Sequence, residues 1–305
     1  MIDPTTLPTP RFVEVGPRDG LQNEHVPIPL EVKVAFIDAL SETGVREIEA
    51  GAFVSPKAIP QMAGSFEVFE NIRRKEGVIY SALVPNEEGL ERALEAEVDK
   101  IAVFTAASET FNQRNINCSI AQSIERFRPV VAKAKDAKLP VRAYISTAYY
   151  CPYEGHIGPE KVLAVVDRLI ALGVDELSIG DTIGRASPFD VRMLLEHLLR
   201  RVRLESVFMH FHDTYGLAAA NALTAWSEYK ISGFDSSAGG LGGCPYAPGA
   251  GGNVATEDLA FAFGASRARI TLDLPKIRAA TALLEPHLGH AMPSHLGRII
   301  PKPGA

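Results

Sequence analysis

Cysteine is scarce: Cys118, Cys151 and Cys244 are the three in 305 residues, spaced 33 and 93 apart with no CxxC pair. That spacing excludes a zinc knot and a disulfide framework. A basic excess is missing too. Lys and Arg number 31 against 37 Asp and Glu, giving a formal charge of −6 and a pI near 5.8. Nucleic-acid binders and proteins of anionic membranes normally carry a basic face, so neither partner is expected. No run reaches the ~18 apolar residues of a membrane span. The opening MIDPTTLPTP has neither the basic n-region nor the apolar h-region of a signal peptide, and a cytoplasmic location is expected. Nucleotide-binding loops are absent as well: the first strand-like run leads into GPRDGLQNE (16–24), with neither GxGxxG nor GK[ST].

What is present is a regular alternation. Short β-rich runs occur at 11–15, 45–50, 78–83, 100–104, 141–146, 175–180, 207–212 and 233–238, each bounded by Gly, Pro or polar turns. Between them lie helical patterns. In 31–44, Val34, Ile37 and Leu40 share a face and Gly44 can cap the end; in 159–173, Pro159 suits a first turn and Gly173 closes the helix. Segments 119–138 and 187–202 read the same way, with Pro129 expected to bend or split the former. Eight strands each followed by a helix is the count of an α/β (β/α)8 TIM barrel, typically ~250 residues. Residues 1–265 are assigned to the barrel and 266–305 to a C-terminal helical extension of the same domain, with LDLPKIRAATALLEPHL as its helix. An open doubly wound sheet is the alternative, and the missing GxGxxG turn argues against it.

In such barrels the C-terminal strand ends form the active face. Reactive residue types collect there: Arg18 and Asp19 after strand 1, Glu49 at the end of strand 2, Asp181 after strand 6, His210 and His212 on strand 7, then Cys244 and Asn253 after strand 8. His210 and His212 stand two apart on a strand, so their side chains share a face. A pair of satisfied core histidines is one reading; at a barrel mouth and followed by Asp213, metal binding is the stronger one. Two imidazoles with a carboxylate and an amide oxygen suit one six-coordinate Mg²⁺ or Mn²⁺ better than structural zinc. Arg18 offers forked donors for a carbonyl oxygen that becomes an enolate, while Arg18–Asp19 alone could also be a surface ion pair. Glu49, at a buried strand end, pairs with Arg18, supports the metal site from behind, or faces solvent. The stretch 239–252 holds seven glycines in fourteen residues with Cys244 in its middle, the setting of a mobile loop carrying a proton donor or nucleophile. Cys118 and Cys151 read as structural, and His287, His290 and His295 as solvated or packing residues.

Taken together, VEVGPRDGLQNE (13–24), FVSPKAIPQM (53–62), NINCSI (115–120), CPYEG (151–155), GDTIG (180–184), HFHDTYG (210–216) and GLGGCPYAPGAGGNVATEDL (240–259) resemble the 3-hydroxy-3-methylglutaryl-CoA lyases, within the metal-dependent lyase and synthase barrels. The first and last segments are specific to such lyases; the HxHDTYG pattern is shared with Claisen-type synthases. The resemblance implies Asp19, His210, His212 and Asn253 as ligands of one divalent cation. It implies Arg18 as the cation facing the enolate and Cys244 as a loop thiol in proton transfer. Glu49 and Asp181 would be acids near metal and substrate. The implied reaction is retro-Claisen cleavage of the acyl-CoA substrate to acetyl-CoA and acetoacetate, in leucine or ketone-body metabolism, by a non-covalent homodimer. Two departures stand out: AGAF after Glu49, where such lyases often carry hydroxyls, and Tyr149 and Tyr150, expected near the pocket mouth. Competing readings are the same chemistry on a longer 3-substituted substrate, a Claisen-condensing acyltransferase on a 2-oxo acid, and a non-catalytic metal-binding barrel.

Overall fold

Parallel strands cannot be joined by tight turns, so each must be followed by a long return, usually a helix that covers the sheet. The computed structural model describes residues 6–243 and 252–299 and shows this plan closed on itself. Eight parallel strands, Arg11–Glu14, Glu47–Ala52, Ile79–Leu83, Lys100–Ala106, Val141–Ser146, Glu176–Asp181, Val207–Phe211 and Gly233–Ser236, pair each with the next, and the last pairs with the first. This is the expected TIM barrel, and closure rules out the open doubly wound alternative. The strands fall within a few residues of the expected spans. A two-stranded hairpin after strand 5, Tyr150–Cys151 with Gly155–His156, was not expected.

Two helices show how local sequence sets their ends. Pro159–Leu172 begins with Pro in its first turn and stops at Gly173, whose φ of 92° is left-handed. Ile120–Asp136 opens on a capping box, Ser119 with Gln122. Pro129 lies inside this second helix, which runs through it unbroken rather than splitting. Proline removes the amide that would bond Glu125, but Glu125 is exposed and water can serve its carbonyl. The helix Thr256–Ala265 follows strand 8, and the expected later helix is observed as Leu274–Ala282 with a short 3-10 turn at Glu285–His287. The chain reaches it by pairing the Asp273 amide with the Thr43 carbonyl at 2.8 Å, which seats the extension against the first barrel helix.

Alternation along the strands splits the interior in two. Outward residues such as Ile48, Ile101, Ile179 and Phe234 join one large apolar core between sheet and helices. Among the described residues the apolar cluster inside the barrel is Val13, Val15 and Phe208; the remaining inward positions on the strands are largely polar or charged. That inner column leads up to the mouth.

Candidate functional site

At the mouth, the chain leaving strand 1 makes one wide helical turn, Gly16–Gly20. The amides of Arg18, Asp19 and Gly20 converge on the Val15 carbonyl at 3.2, 2.7 and 3.2 Å. The turn carries Arg18 and Asp19 inward. Arg18 is almost fully buried; its Nε donates to Glu49 Oε2 at 2.5 Å and its Nη1 to Asp19 Oδ1 at 2.5 Å. Glu49 therefore takes the first of its three expected positions, the pair with Arg18, and does not face solvent. The Arg18 guanidinium also lies 5.3 Å from the Tyr144 ring centre.

His210 and His212 enter from strand 7 on the same face, ring centres 5.3 Å apart. Donor atoms of Asp19, His210 and His212 all lie within 4.8 Å of one another, close enough to hold one metal ion. Asn253 is brought alongside by the backbone. It pairs with His212 in a β-bridge flanked by bonds from Asp213 N to Gly252 O (2.9 Å) and Val254 N to Phe211 O (3.1 Å). Its Nδ2 donates to Asp19 Oδ2 at 2.7 Å and to Leu241 O at 3.2 Å. Gly242 and Gly252 make this approach possible: a Cβ on Gly252 would stand 2.2 Å from the Gly242 carbonyl carbon. Cys244 lies outside the described residues, beyond Gly243, which lines the cavity.

Charge is arranged unevenly here. Burial alone would raise the Asp19 carboxyl, but Arg18, His210 and His212 overcome it and hold the pKa at about 2. Burial pushes Glu49 upward even with Arg18 beside it. For Arg18, burial works against the charge, and Glu49 and Asp19 reverse that and raise it. His212 is pushed down to about 4 by burial and by His210, whereas Asp235 outweighs burial at His210 and raises it. A permanently ionised carboxylate and a neutral imidazole are ligand forms a divalent cation needs.

The cluster opens into a cavity of about 530 Å³ at the C-terminal strand ends. Arg18, Asp19, His210 and His212 form one wall; the segments after strands 2, 3 and 4 form another, with Val54, Ile59 and, on the helix Glu109–Ile116, Phe111 and Ile116. Asn86, Asn115 and the exposed Arg126 add polar groups to that side. The NINCSI segment thus reaches the cavity through Asn115, while Cys118 and Cys151 are buried away from the cavity lining.

Three expected placements differ. Asp181 is completely buried and does not line the cavity: Ser178 and Gly180 do, and Asp181 accepts hydrogen bonds from the Arg185 and Ala186 amides at 3.1 and 3.0 Å. Alternation turns it away from the interior, where it shapes the GDTIG turn, with burial raising its pKa to about 7. Tyr149 and Tyr150 do not line the cavity either; Tyr149 is buried against Phe211, and Tyr150 packs on His156 and Arg185. Among the described residues the tyrosine that does line it is Tyr144 on strand 5, edge-on to His210 at 6.1 Å. Sequence reading overlooked it, although its inward phase on VRAYIS is legible. Of the tail histidines, His290 pairs with Glu24 at 3.0 Å and His295 with Asp258 at 3.1 Å.

The sequence and fold match known proteins over nearly their whole lengths. A family profile described as HMGL-like matches residues 9–284. Hydroxymethylglutaryl-CoA lyase of Pseudomonas mevalonii is 47% identical over 287 residues, 94% of this chain and 95% of the relative. A Pseudomonas aeruginosa protein named 3-hydroxy-3-isohexenylglutaryl-CoA/hydroxy-methylglutaryl-CoA lyase is 53% identical over 251 residues, 82% of this chain and 83% of its own. The structure of an HMG-CoA lyase from Acinetobacter baumannii in complex with coenzyme A and 3-methylmalate superposes with a TM-score of 0.90 at 38% identity, covering 95% of this chain and 94% of that one.

Proposed function

We propose a working site for a chain that belongs to the HMGL-like family and that cleaves 3-hydroxy-3-methylglutaryl-CoA: the cavity wall of Arg18, Asp19, His210 and His212 is where the carbon–carbon bond breaks. The observation that carries it is the convergence of one buried cation and three metal-ligating side chains on the cavity at the active face of the barrel. Asp19, His210 and His212 would hold a Mg²⁺ or Mn²⁺ ion, with Asn253 beside Asp19 as a fourth ligand. Such an ion, when bound, supplies the positive charge that makes a tertiary hydroxyl acidic near neutral pH.

The remaining work belongs to the chain. Loss of the hydroxyl proton allows C2–C3 cleavage to acetoacetate and leaves negative charge on the thioester enolate of acetyl-CoA. Arg18 faces that charge; Glu49 and Asp19 hold its guanidinium in place beforehand, so it needs no reorganisation during the reaction. His210 relays the hydroxyl proton through Nε2, the same nitrogen that would otherwise be its ligand atom, so it fills one of these two roles at a time. Cys244, which lies outside the described residues, delivers a proton to the enolate carbon. Asp181 acts at one remove, by holding the 182–186 turn. The acyl-CoA enters past Asn86, Asn115 and Arg126. We place the protein in the cytoplasm as a non-covalent homodimer; among the described residues no helix is long and apolar enough to cross a membrane.

A second reading keeps the chemistry and lengthens the 3-substituent. The apolar wall of Val54, Ile59, Phe111 and Ile116 favours it, as does the name of the P. aeruginosa relative. One experiment addresses both. Chelator-stripped protein is assayed for acetyl-CoA and acetoacetate from 3-hydroxy-3-methylglutaryl-CoA, with and without Mg²⁺, beside a longer 3-substituted analogue. Metal-dependent product lost in His210→Ala and Cys244→Ala is the expected result. Turnover that survives without metal overturns the mechanism; turnover of the longer substrate alone moves the assignment to the second reading.

A further inference from the structure

Below the metal-ligating cluster, the barrel interior is filled by charge rather than hydrocarbon. Inward positions on five strands contribute Glu47, Lys100, Arg142, Glu176 and Asp235, four of them buried and Glu176 partly so. Lys100 Nζ donates to Glu47 at 2.7 Å and to Glu176 at 3.0 Å. Arg142 Nε reaches the same Glu176 at 3.1 Å, and its Nη1 donates to Asp235 Oδ1 at 2.8 Å. The Arg142 guanidinium also stacks 4.0 Å from the Phe208 ring centre, which leaves it little room to turn.

Asp235 ends this chain of charges. With Oδ1 held by Arg142, its Oδ2 accepts from Ser178 Oγ at 2.6 Å and meets His210 Nδ1 at 3.3 Å. An ionised carboxylate only accepts hydrogen bonds, so the His210 nitrogen facing it must carry the proton. In the neutral ring the other nitrogen, Nε2, is then bare. We infer that Asp235, held by Arg142 and Ser178, is a positioning residue: it fixes His210 as the Nδ1–H tautomer, orients the ring, and leaves Nε2 as the ligand atom toward Asp19 and His212.

Comparison within the cluster supports this. Among the described residues His212 Nδ1 is buried without a hydrogen-bond partner, so one imidazole is braced and the other is not. A buried carboxylate with one oxygen tied to an arginine and the other divided between a hydroxyl and a ligand imidazole is the arrangement that sets ligand orientation and basicity in metal sites. The inference rests on the reading that Asp19, His210 and His212 hold a cation, but its first test needs no cation.

In metal-free protein at a pH where the ring is neutral, long-range ¹H–¹⁵N correlations of His210 should show protonated Nδ1 and bare Nε2, and Asp235→Asn should mix the two tautomers. An Nε2–H ring in the unsubstituted protein overturns the inference, whatever metal does. With Mn²⁺ followed by electron paramagnetic resonance, Asp235→Asn should bind ~10–100-fold more weakly, and Ser178→Ala more weakly by a smaller factor. Should Asp235→Asn fail to fold, Ser178→Ala still decides, because it loosens the carboxylate without unbalancing the charge of Arg142. Mn²⁺ affinity of folded Asp235→Asn within about twofold of the parent overturns the positioning role. Absence of Mn²⁺ binding by the parent would instead overturn the metal reading, and the tautomer result would stand separately.

Discussion

Arg18→Lys keeps the charge at the mouth and changes only its shape. Arginine has five N–H donors; the Nε–H is given to Glu49 and one Nη1–H to Asp19, both at 2.5 Å. Three N–H groups remain on a guanidinium that lines the cavity, held flat beside Tyr144. Lysine places its three donors on one nitrogen, and two buried carboxylates would claim it. It cannot bridge Glu49 and Asp19 and still present an oriented pair of donors to an enolate oxygen. The loss resembles removal of an aimed oxyanion donor, ~10²–10³ in kcat or about 2.7–4 kcal/mol. Because the net charge of the site is unchanged, Asp19 stays ionised and metal binding should hold. The assay is steady-state cleavage at saturating Mg²⁺, with Mn²⁺ affinity and thermal unfolding measured on the same preparation. A kcat within about threefold of the parent, with the deficit appearing in KM instead, would mean that Arg18 binds ground state and transition state alike, and the argument for enolate stabilisation would fail.

Asp19→Asn removes the carboxylate held near 2 and should abolish Mn²⁺ binding in a paramagnetic titration, with a folded far-ultraviolet dichroism spectrum retained. Glu14 concerns stability rather than rate. Burial raises its pKa from 4.5 to about 7, so between those values the unfolded chain has released a proton that the folded chain still holds. Stability from this group is therefore highest below pH 4.5 and lost as pH rises to 7, on the order of 3 kcal/mol as an upper bound. Glu14→Gln should flatten that decline, read as urea midpoints at pH 4.5 and 8; an unchanged slope would refute it. Gly252→Ala places a Cβ 2.2 Å from the Gly242 carbonyl carbon. Thermal melts should show a loss of roughly 1–3 kcal/mol, and Mn²⁺ affinity should drop because the His212–Asn253 bridge has to shift.

The barrel was legible because short β-rich runs of similar length, each with an apolar outward face, alternate with helical patterns. Strand ends then placed Arg18, Asp19, Glu49, His210 and His212 near one another, as observed. Parity decided what was missed. Asp181 follows the apparent strand 6 and so reads as a mouth residue, yet the strand continues through it and turns it outward. Tyr149 and Tyr150 look like rim residues, but they belong to a turn and hairpin that pack outside the cavity. Arg142, Tyr144 and Ser146 alternate inward on strand 5 and form the better signal: an arginine in the middle of a buried strand has to meet acids from across the barrel. Those acids, Glu176 and Asp235, come from other strands, and a single sequence does not reveal which acid meets which base.

The interior repeats one arrangement at two heights. Below, Arg142 lies between Glu176 and Asp235; above, Arg18 lies between Glu49 and Asp19. A buried ion pair is often no more stabilising than well-packed hydrocarbon of the same volume, so stability alone gives little reason to fill a barrel this way. Orientation gives a reason. In each set one acid holds the arginine from the side, while the other has an oxygen left for the candidate metal site: Asp19 enters it directly, and Asp235 meets it through His210. Arg18 with His210 and His212 holds Asp19 low, and Arg142 with His210 and Ser178 holds Asp235 low, at depths where burial raises Glu14 to about 7 and raises Glu49 even beside Arg18. The charged column acts as a support that delivers two negative charges, at fixed positions, to the place where a divalent cation would sit.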